Sequence, residues 1–206
     1  LKALEKARPD AIFVIGMGGS GTIGLLLKNL AKDVNIKIPV IPWNDYGLPS
    51  TSFKKPLIIL ISFSGNTQET IDAFQKAKNQ LLGVVSGGGK LSQIAEKSKI
   101  PLASFEKNNL APRQANGLML YGALGIIKKV FPETAIRDLS KTIQPKNYQI
   151  FGKKIAGKIK NKTVLIYAST QNGHLGYLWK IHLNETAKAM AFNNVVSEMN
   201  HNEIVG

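Results

Sequence analysis

The residues AIFVIGMGGSG, 11–21, decide how the chain begins to fold. Ala11–Ile15 is an apolar run that stops at glycine, the pattern of a buried strand. Gly16-Met17-Gly18-Gly19-Ser20-Gly21 then satisfies G-x-G-x-x-G, and Ser20–Ala31 carries helical periodicity. Glycines in such a turn let the backbone approach an anion, and the helix N-terminus adds unpaired amides and a positive dipole end. The motif alone is a weak signal, because dinucleotide-binding folds carry it too. Those folds want an acidic residue at the end of the second strand. Asp45 stands near that distance, but within Trp43-Asn44-Asp45-Tyr46-Gly47 and beyond Pro42, which is a loop setting. The dinucleotide reading stays unsupported.

Outward from this stretch the pattern repeats. Ile36–Ile41 and Leu57–Ile61 read as two more strands, and Asn66–Asn79 places Ile71, Phe74 and Ala77 at helical spacing. Leu81–Val85 is a further strand closed by Gly87–Gly89, and Leu91–Lys97 a short helix. After Pro112 a long apolar helix runs from about Arg113 to Val130. Strands alternating with helices predict an α/β fold, a doubly wound parallel sheet with helices on both faces. Between Phe131 and Lys162 a lysine-rich stretch punctuated by Pro132, Pro145 and Gly152 reads as a linker plus one amphipathic helix. The pattern then restarts: Thr163–Ala168 as strand, Ser169–Gly173 as polar loop, His174–Lys188 as helix. The expected division is a first domain over 1–139, linker and helix over 140–162, and the beginning of a second, similar domain over 163–206. The opening at Leu1 and the stop at Gly206, in mid-pattern, read as a sequence incomplete at both ends.

Composition narrows the function. The net charge of +14 over 206 residues invites a nucleic-acid reading. Yet apart from Arg8, Arg113 and Arg137 the cations are dispersed lysines, with no helix-turn-helix or zinc-finger spacing. A solvated basic surface that draws in an anionic substrate fits better, and neither a nucleic-acid nor a membrane partner is expected. Without cysteine there is no disulfide framework or thiolate metal site. The start carries no signal-peptide pattern, so a cytoplasmic enzyme is expected.

The second turn is the informative one. Ser62-Phe63-Ser64-Gly65-Asn66-Thr67-Gln68-Glu69-Thr70 follows the strand Leu57–Ile61 and opens the next helix. Three hydroxyls, on Ser62, Ser64 and Thr67, join fresh amide donors there. A hydrogen bond to a charged group contributes about 1.5–3 kcal/mol, so this cluster can hold a phosphate monoester without Lys or Arg. The alternative is ordinary helix capping, with Ser64 or Asn66 as cap and Glu69 completing a capping box.

GMGGSG followed by SFSGNTQET resembles the signature of sugar-isomerase (SIS) domains, which bind phosphosugars. The resemblance implies phosphate-binding hydroxyls at Ser20, Ser62, Ser64 and Thr67, supported by Gly18, Gly19, Gly21 and Gly65. Ser86 and Gly87–Gly89 would shape the same crevice. Three further segments are similar to the bifunctional phosphoglucose/phosphomannose isomerases: Ala111-Pro112-Arg113, Asn184-Glu185-Thr186-Ala187-Lys188 and His201-Asn202. Thr186 stands where that family usually has asparagine. Carried over, Glu185 is the base that moves the proton between C1 and C2, His201 the acid/base that opens the ring, and Arg113 the cation that steadies the enediolate.

The resemblance thus implies interconversion of glucose 6-phosphate, and mannose 6-phosphate as well, with fructose 6-phosphate. It implies no metal or other cofactor, and a homodimer with its active site near the interface. Read without it, Glu185 is an exposed helical carboxylate beside Lys188, and Glu198 and Glu203 are rival carboxylates. A His182/Glu185/His201 metal site is a remote alternative. A non-catalytic phosphosugar module of a regulator, or a SIS isomerase for another sugar phosphate, would keep the hydroxyl cradle. The family also uses a lysine and a threonine in a segment close to its C-terminus, to which no residue of this sequence is assigned.

Overall fold

The computed structural model describes Leu4 and residues 6–136 and 144–203. The chain divides into two compact units, 1–136 and 137–206. The boundary expected at 139–140 lies outside the described residues.

The first unit alternates strand and helix. It runs β1 (Ile12–Ile15), α1 (Gly18–Leu30), β2 (Val40–Trp43), β3 (Leu57–Ser62), α2 (Gln68–Lys76), β4 (Leu81–Ser86), α3 (Gly89–Lys97), β5 (Leu102–Ser104) and α4 (Asn116–Val130). The five strands form one sheet in the order β2-β1-β3-β4-β5, every pairing parallel. β3 lies at the centre, and all six of its residues are buried. Its unbroken apolar run follows from cover on both faces. Side chains alternate across the pleat. Ile59 and Ile61 join Val14, Ile23, Leu27, Met119 and Ile127 on one face, beneath α1 and α4. Ile58 and Leu60 join Phe13, Ile15, Phe74, Leu91 and Ala95 on the other, beneath α2 and α3. The predicted α/β fold with helices on both faces is the one observed.

Three details differ from the sequence reading. The second strand is Val40–Trp43 rather than Ile36–Ile41, and Pro42 fits inside it because β2 is an edge strand that can forgo a donor. β5 escaped notice because Leu102-Ala103-Ser104 is three residues long and only half-buried or exposed. The long helix begins at Asn116, since Pro112–Gln114 forms a separate 3-10 turn, closed by the Ala111 amide donating to Gln114 Oε1 at 2.8 Å.

The second unit holds α5 (Gln149–Ile159), β6 (Val164–Ala168), α6 (Gly173–Glu185), β7 (Ala191–Val195) and α7 (Val196–Asn202). β6 and β7 pair in parallel from Val164↔Ala191 to Ala168↔Val195. α6 closes one face of this pair through the buried Gly176 and Leu183. On the opposite pleat the cross-strand partners Leu165 and Phe192 are 60% and 51% exposed. β7 and α7 were not predicted, because Asn193 and Asn194 break the apolar pattern of Ala191–Val195. No helix among the described residues is long and apolar enough to cross a membrane.

Candidate functional site

In the order 2-1-3-4-5 the sheet grows outward in both directions from the β1/β3 pair, so a crevice opens at the carboxyl ends of these two strands. Both hydroxyl-rich turns lie there, because β1 and β3 are neighbours and run parallel. They are bonded to each other: the Phe63 amide donates to Ser20 Oγ at 3.0 Å. Ser20 is buried, and its hydroxyl donates toward Met119 Sδ at 3.5 Å. Ser62 is fully buried; its Oγ accepts from the Gly65 amide at 3.0 Å and shares a hydrogen bond with Thr67 Oγ1 at 2.9 Å. Ser64 is exposed and Thr67 half-buried. The four candidate hydroxyls thus sort into two that knit the turns together and two that solvent reaches.

The capping alternative does not describe this turn. The cap of α2 is Thr67, whose side chain makes no capping bond. Ser64 Oγ accepts from the Asn66 amide at 3.1 Å, and Asn66 Oδ1 accepts from the Lys90 amide at 3.0 Å. The hydroxyls therefore serve the turn and not the helix end.

A third turn, after β4, locks onto the second. Ser86 Oγ donates to Gly88 O at 2.8 Å, and the Leu91 amide donates to Gly65 O at 2.8 Å. Gly65 has φ +73°, and a Cβ there would stand 1.6 Å from Gly88 O, so no other residue fits. Gly19 plays the matching part on the other side. A Cβ on it would lie 3.0 Å from the Arg113 amide nitrogen, which seats the Pro112–Arg113 backbone directly on the first turn. Arg113 is half-buried there. Ser20, Ser62, Ser64, Thr67, the supporting Gly18, Gly19, Gly21 and Gly65, and the backbone of Arg113 are thus gathered at one edge of one sheet. Asp45 lies in the loop after β2 with its carboxylate accepting from the Tyr46 amide at 2.7 Å.

The remaining candidates belong to the second unit. Glu185 is the last residue of α6 and exposed. Its neighbour Asn184 grips the start of β7 twice, Nδ2 donating to Ala191 O at 3.3 Å and Oδ1 accepting from the Ala191 amide at 2.9 Å. The chain then turns through Lys188 at φ 53°. His201 lies exposed on α7. Two residues on, Glu203 accepts hydrogen bonds from the Tyr167 hydroxyl and from Asn194 Nδ2. Glu203 therefore ties the end of α7 to the far ends of β6 and β7. The Tyr167 hydroxyl, followed by the Asn194 amide, holds the Glu203 carboxyl below the ordinary glutamate range, and the same bond raises Tyr167. No group of three or more His, Asp or Glu side chains among the described residues could hold a metal ion.

A parallel sheet of this order, with serine-rich turns interlocked at its switch point, is a doubly wound α/β architecture with a ligand-type crevice. Solved structures share the fold: the C-terminal domain of glucosamine-fructose-6-phosphate aminotransferase from Francisella tularensis (TM-score 0.67, 15% identity, 98% of this chain and 62% of that one). Glucosamine-6-phosphate deaminase from Thermotoga maritima does so at TM-score 0.58 and 16% identity, over 98% and 65% of the two chains. Residues 150–206 match the bacterial phospho-glucose isomerase C-terminal SIS domain. In sequence the chain is 38% identical to a bifunctional phosphoglucose/phosphomannose isomerase of Caldicellulosiruptor bescii, over 96% of this chain and 62% of that relative. It is 31% identical to a D-glucosamine-6-phosphate 4-epimerase of Sulfolobus acidocaldarius, over 95% and 63%. The chain is similar, along nearly its whole length, to several bifunctional phosphoglucose/phosphomannose isomerases, at 30–38% identity. It spans about three-fifths of the length of these relatives.

Proposed function

We propose that the protein is an aldose–ketose isomerase that interconverts glucose 6-phosphate, and mannose 6-phosphate as well, with fructose 6-phosphate through an enediol. One observation carries this reading: the bond from the Phe63 amide to Ser20 Oγ, which fuses two hydroxyl-rich turns into a single anion cradle. In the proposal Ser64 and Thr67 meet the phosphate, with the amides at the starts of α1 and α2, while Ser20 and Ser62 fix the cradle's shape and complete it. His201 transfers the proton that opens the ring. The Glu185 carboxylate takes the proton from C2 and returns it to C1, and the Arg113 guanidinium faces the enediolate oxygen. We infer further that the active site forms near a homodimer interface, each site drawing His201 from the second copy. Such a reaction belongs to glycolysis and gluconeogenesis in the cytoplasm.

The test is fructose 6-phosphate formation by the full-length protein. Glu185→Gln should lower kcat by about 10²–10⁴, the range of a general base, with KM little changed. Full activity in that variant would remove Glu185 from the mechanism. The relation to a D-glucosamine-6-phosphate 4-epimerase favours a second reading, a SIS enzyme for another sugar phosphate. A panel of hexose, hexosamine and pentose phosphates separates the two. A regulator's ligand module would bind such phosphates with no turnover.

A further inference from the structure

The loop that joins β5 to α4 leaves the sheet at the same carboxyl edge as the two hydroxyl turns, and it carries a second cation besides Arg113. This is Lys107. Its stem lies across the third turn: a Cβ on Gly87 would stand 2.8 Å from Lys107 Cε and 3.0 Å from its Cγ, so the lysine fills the space a side chain there would take. The same imagined Cβ would lie 2.8 Å from Phe63 O, which places the stem beside the second turn as well. The ammonium sits 5.7 Å from the centre of the Phe63 ring. Phe63 is itself held firmly, 9% exposed, with Phe105 at 5.8 Å between ring centres and its amide bonded to Ser20 Oγ. Behind Lys107 the backbone is tightly turned. The Leu110 amide donates to Lys107 O at 2.7 Å, and Asn108 and Asn109 both take left-handed φ, 41° and 59°. Asparagine accepts that region readily, so the turn closes behind Lys107 at little cost. Among the described residues no carboxylate pairs with the Lys107 ammonium, although the side chain is half-buried.

We propose that Lys107 is a binding residue for the phosphate dianion of a sugar phosphate, supplying the full positive charge that a cradle of serine and threonine hydroxyls lacks. The proposal rests on the phosphosugar reading above and deepens it. A ring face holds the ammonium by its field without consuming its N–H donors, so they remain to be given to an anion. On a four-carbon stem anchored at Gly87, Lys107 acts as a point charge at the edge of the cradle. Phosphate is remote from the reacting C1 and C2 carbons. Lys107 therefore binds substrate and transition state alike, and its loss appears in KM and not in kcat.

The experiment compares the full-length wild type with Lys107→Met, which keeps the stem over Gly87, and Lys107→Arg, which keeps the charge. Calorimetry measures fructose 6-phosphate and, separately, inorganic phosphate. In Lys107→Met both affinities should fall about ten-fold or more, as for loss of a charged hydrogen bond, with kcat and the unfolding midpoint close to wild type. Lys107→Arg should restore most of the affinity. Wild-type affinity in Lys107→Met, or a loss confined to kcat, overturns the role of Lys107 and leaves the phosphosugar reading standing. A wild type that binds neither ligand overturns that reading, and this assignment with it.

Discussion

Ser20 and Ser64 belong to the same cradle yet should respond differently to the same truncation. Ser20 Oγ is the acceptor for the Phe63 amide in a buried setting, so Ser20→Ala orphans a backbone donor at a cost of about 1–3 kcal/mol. Ser64 is exposed, and Ser64→Ala should leave stability within about 0.5 kcal/mol of wild type. Its effect should fall on fructose 6-phosphate affinity, by about ten-fold. Denaturant midpoints and calorimetry on both variants check the split; equal stability losses would mean that the exposed hydroxyl is a structural one. The types of these residues were legible in the sequence, as serines and glycines at two strand-to-helix turns. Which hydroxyl faces inward was not, because it depends on distant partners: the Phe63 amide bonds Ser20 Oγ and the Phe63 ring packs beside Phe105.

At the scale of the element, the Glu203 tie shows how a terminal helix is kept on a two-stranded sheet. Its carboxylate accepts from Tyr167 on β6 and Asn194 on β7, and both bonds favour the charged form. A group whose pKa is depressed on folding contributes stability that is present above the ordinary glutamate range and lost as pH falls through its folded value. Thermal midpoints of wild type and Glu203→Gln should differ at neutral pH and converge as pH falls below the ordinary glutamate range and through the lowered folded value. A gap that stays constant with pH would show that the carboxylate charge is irrelevant to docking α7. The raised tyrosine has the opposite sign, its share being present below its ordinary range and lost as pH rises. The sequence offered Glu203 only as a rival carboxylate to Glu185, beside Glu198. Its partners sit 36 and 9 residues away and could not be read from local spacing.

At the scale of the whole molecule, the proposed homodimer makes assembly part of the proposed chemistry, with each site drawing His201 from the second copy. With C2 symmetry, mixing the inactive full-length variants Glu185→Gln and His201→Ala after unfolding and reassociation should restore about a quarter of wild-type activity. Half the dimers are then mixed, and each mixed dimer has one site with both residues intact. No recovery, in a mixture shown by sedimentation to contain mixed dimers, would mean that one copy supplies both residues to its own site. The sequence by itself determined the α/β class, the parallel sheet and the two strand-to-helix turns, because buried parallel strands read as continuous apolar runs and tight turns as glycine and serine. Tertiary structure alone decided that β1 and β3 are neighbours, that Ser20 is spent on the Phe63 amide, and that Lys107 reaches Phe63 and Gly87. Each of these joins residues 20 or more apart in the chain, where local periodicity carries no information and only the order of strands and the fit of side chains bring groups together.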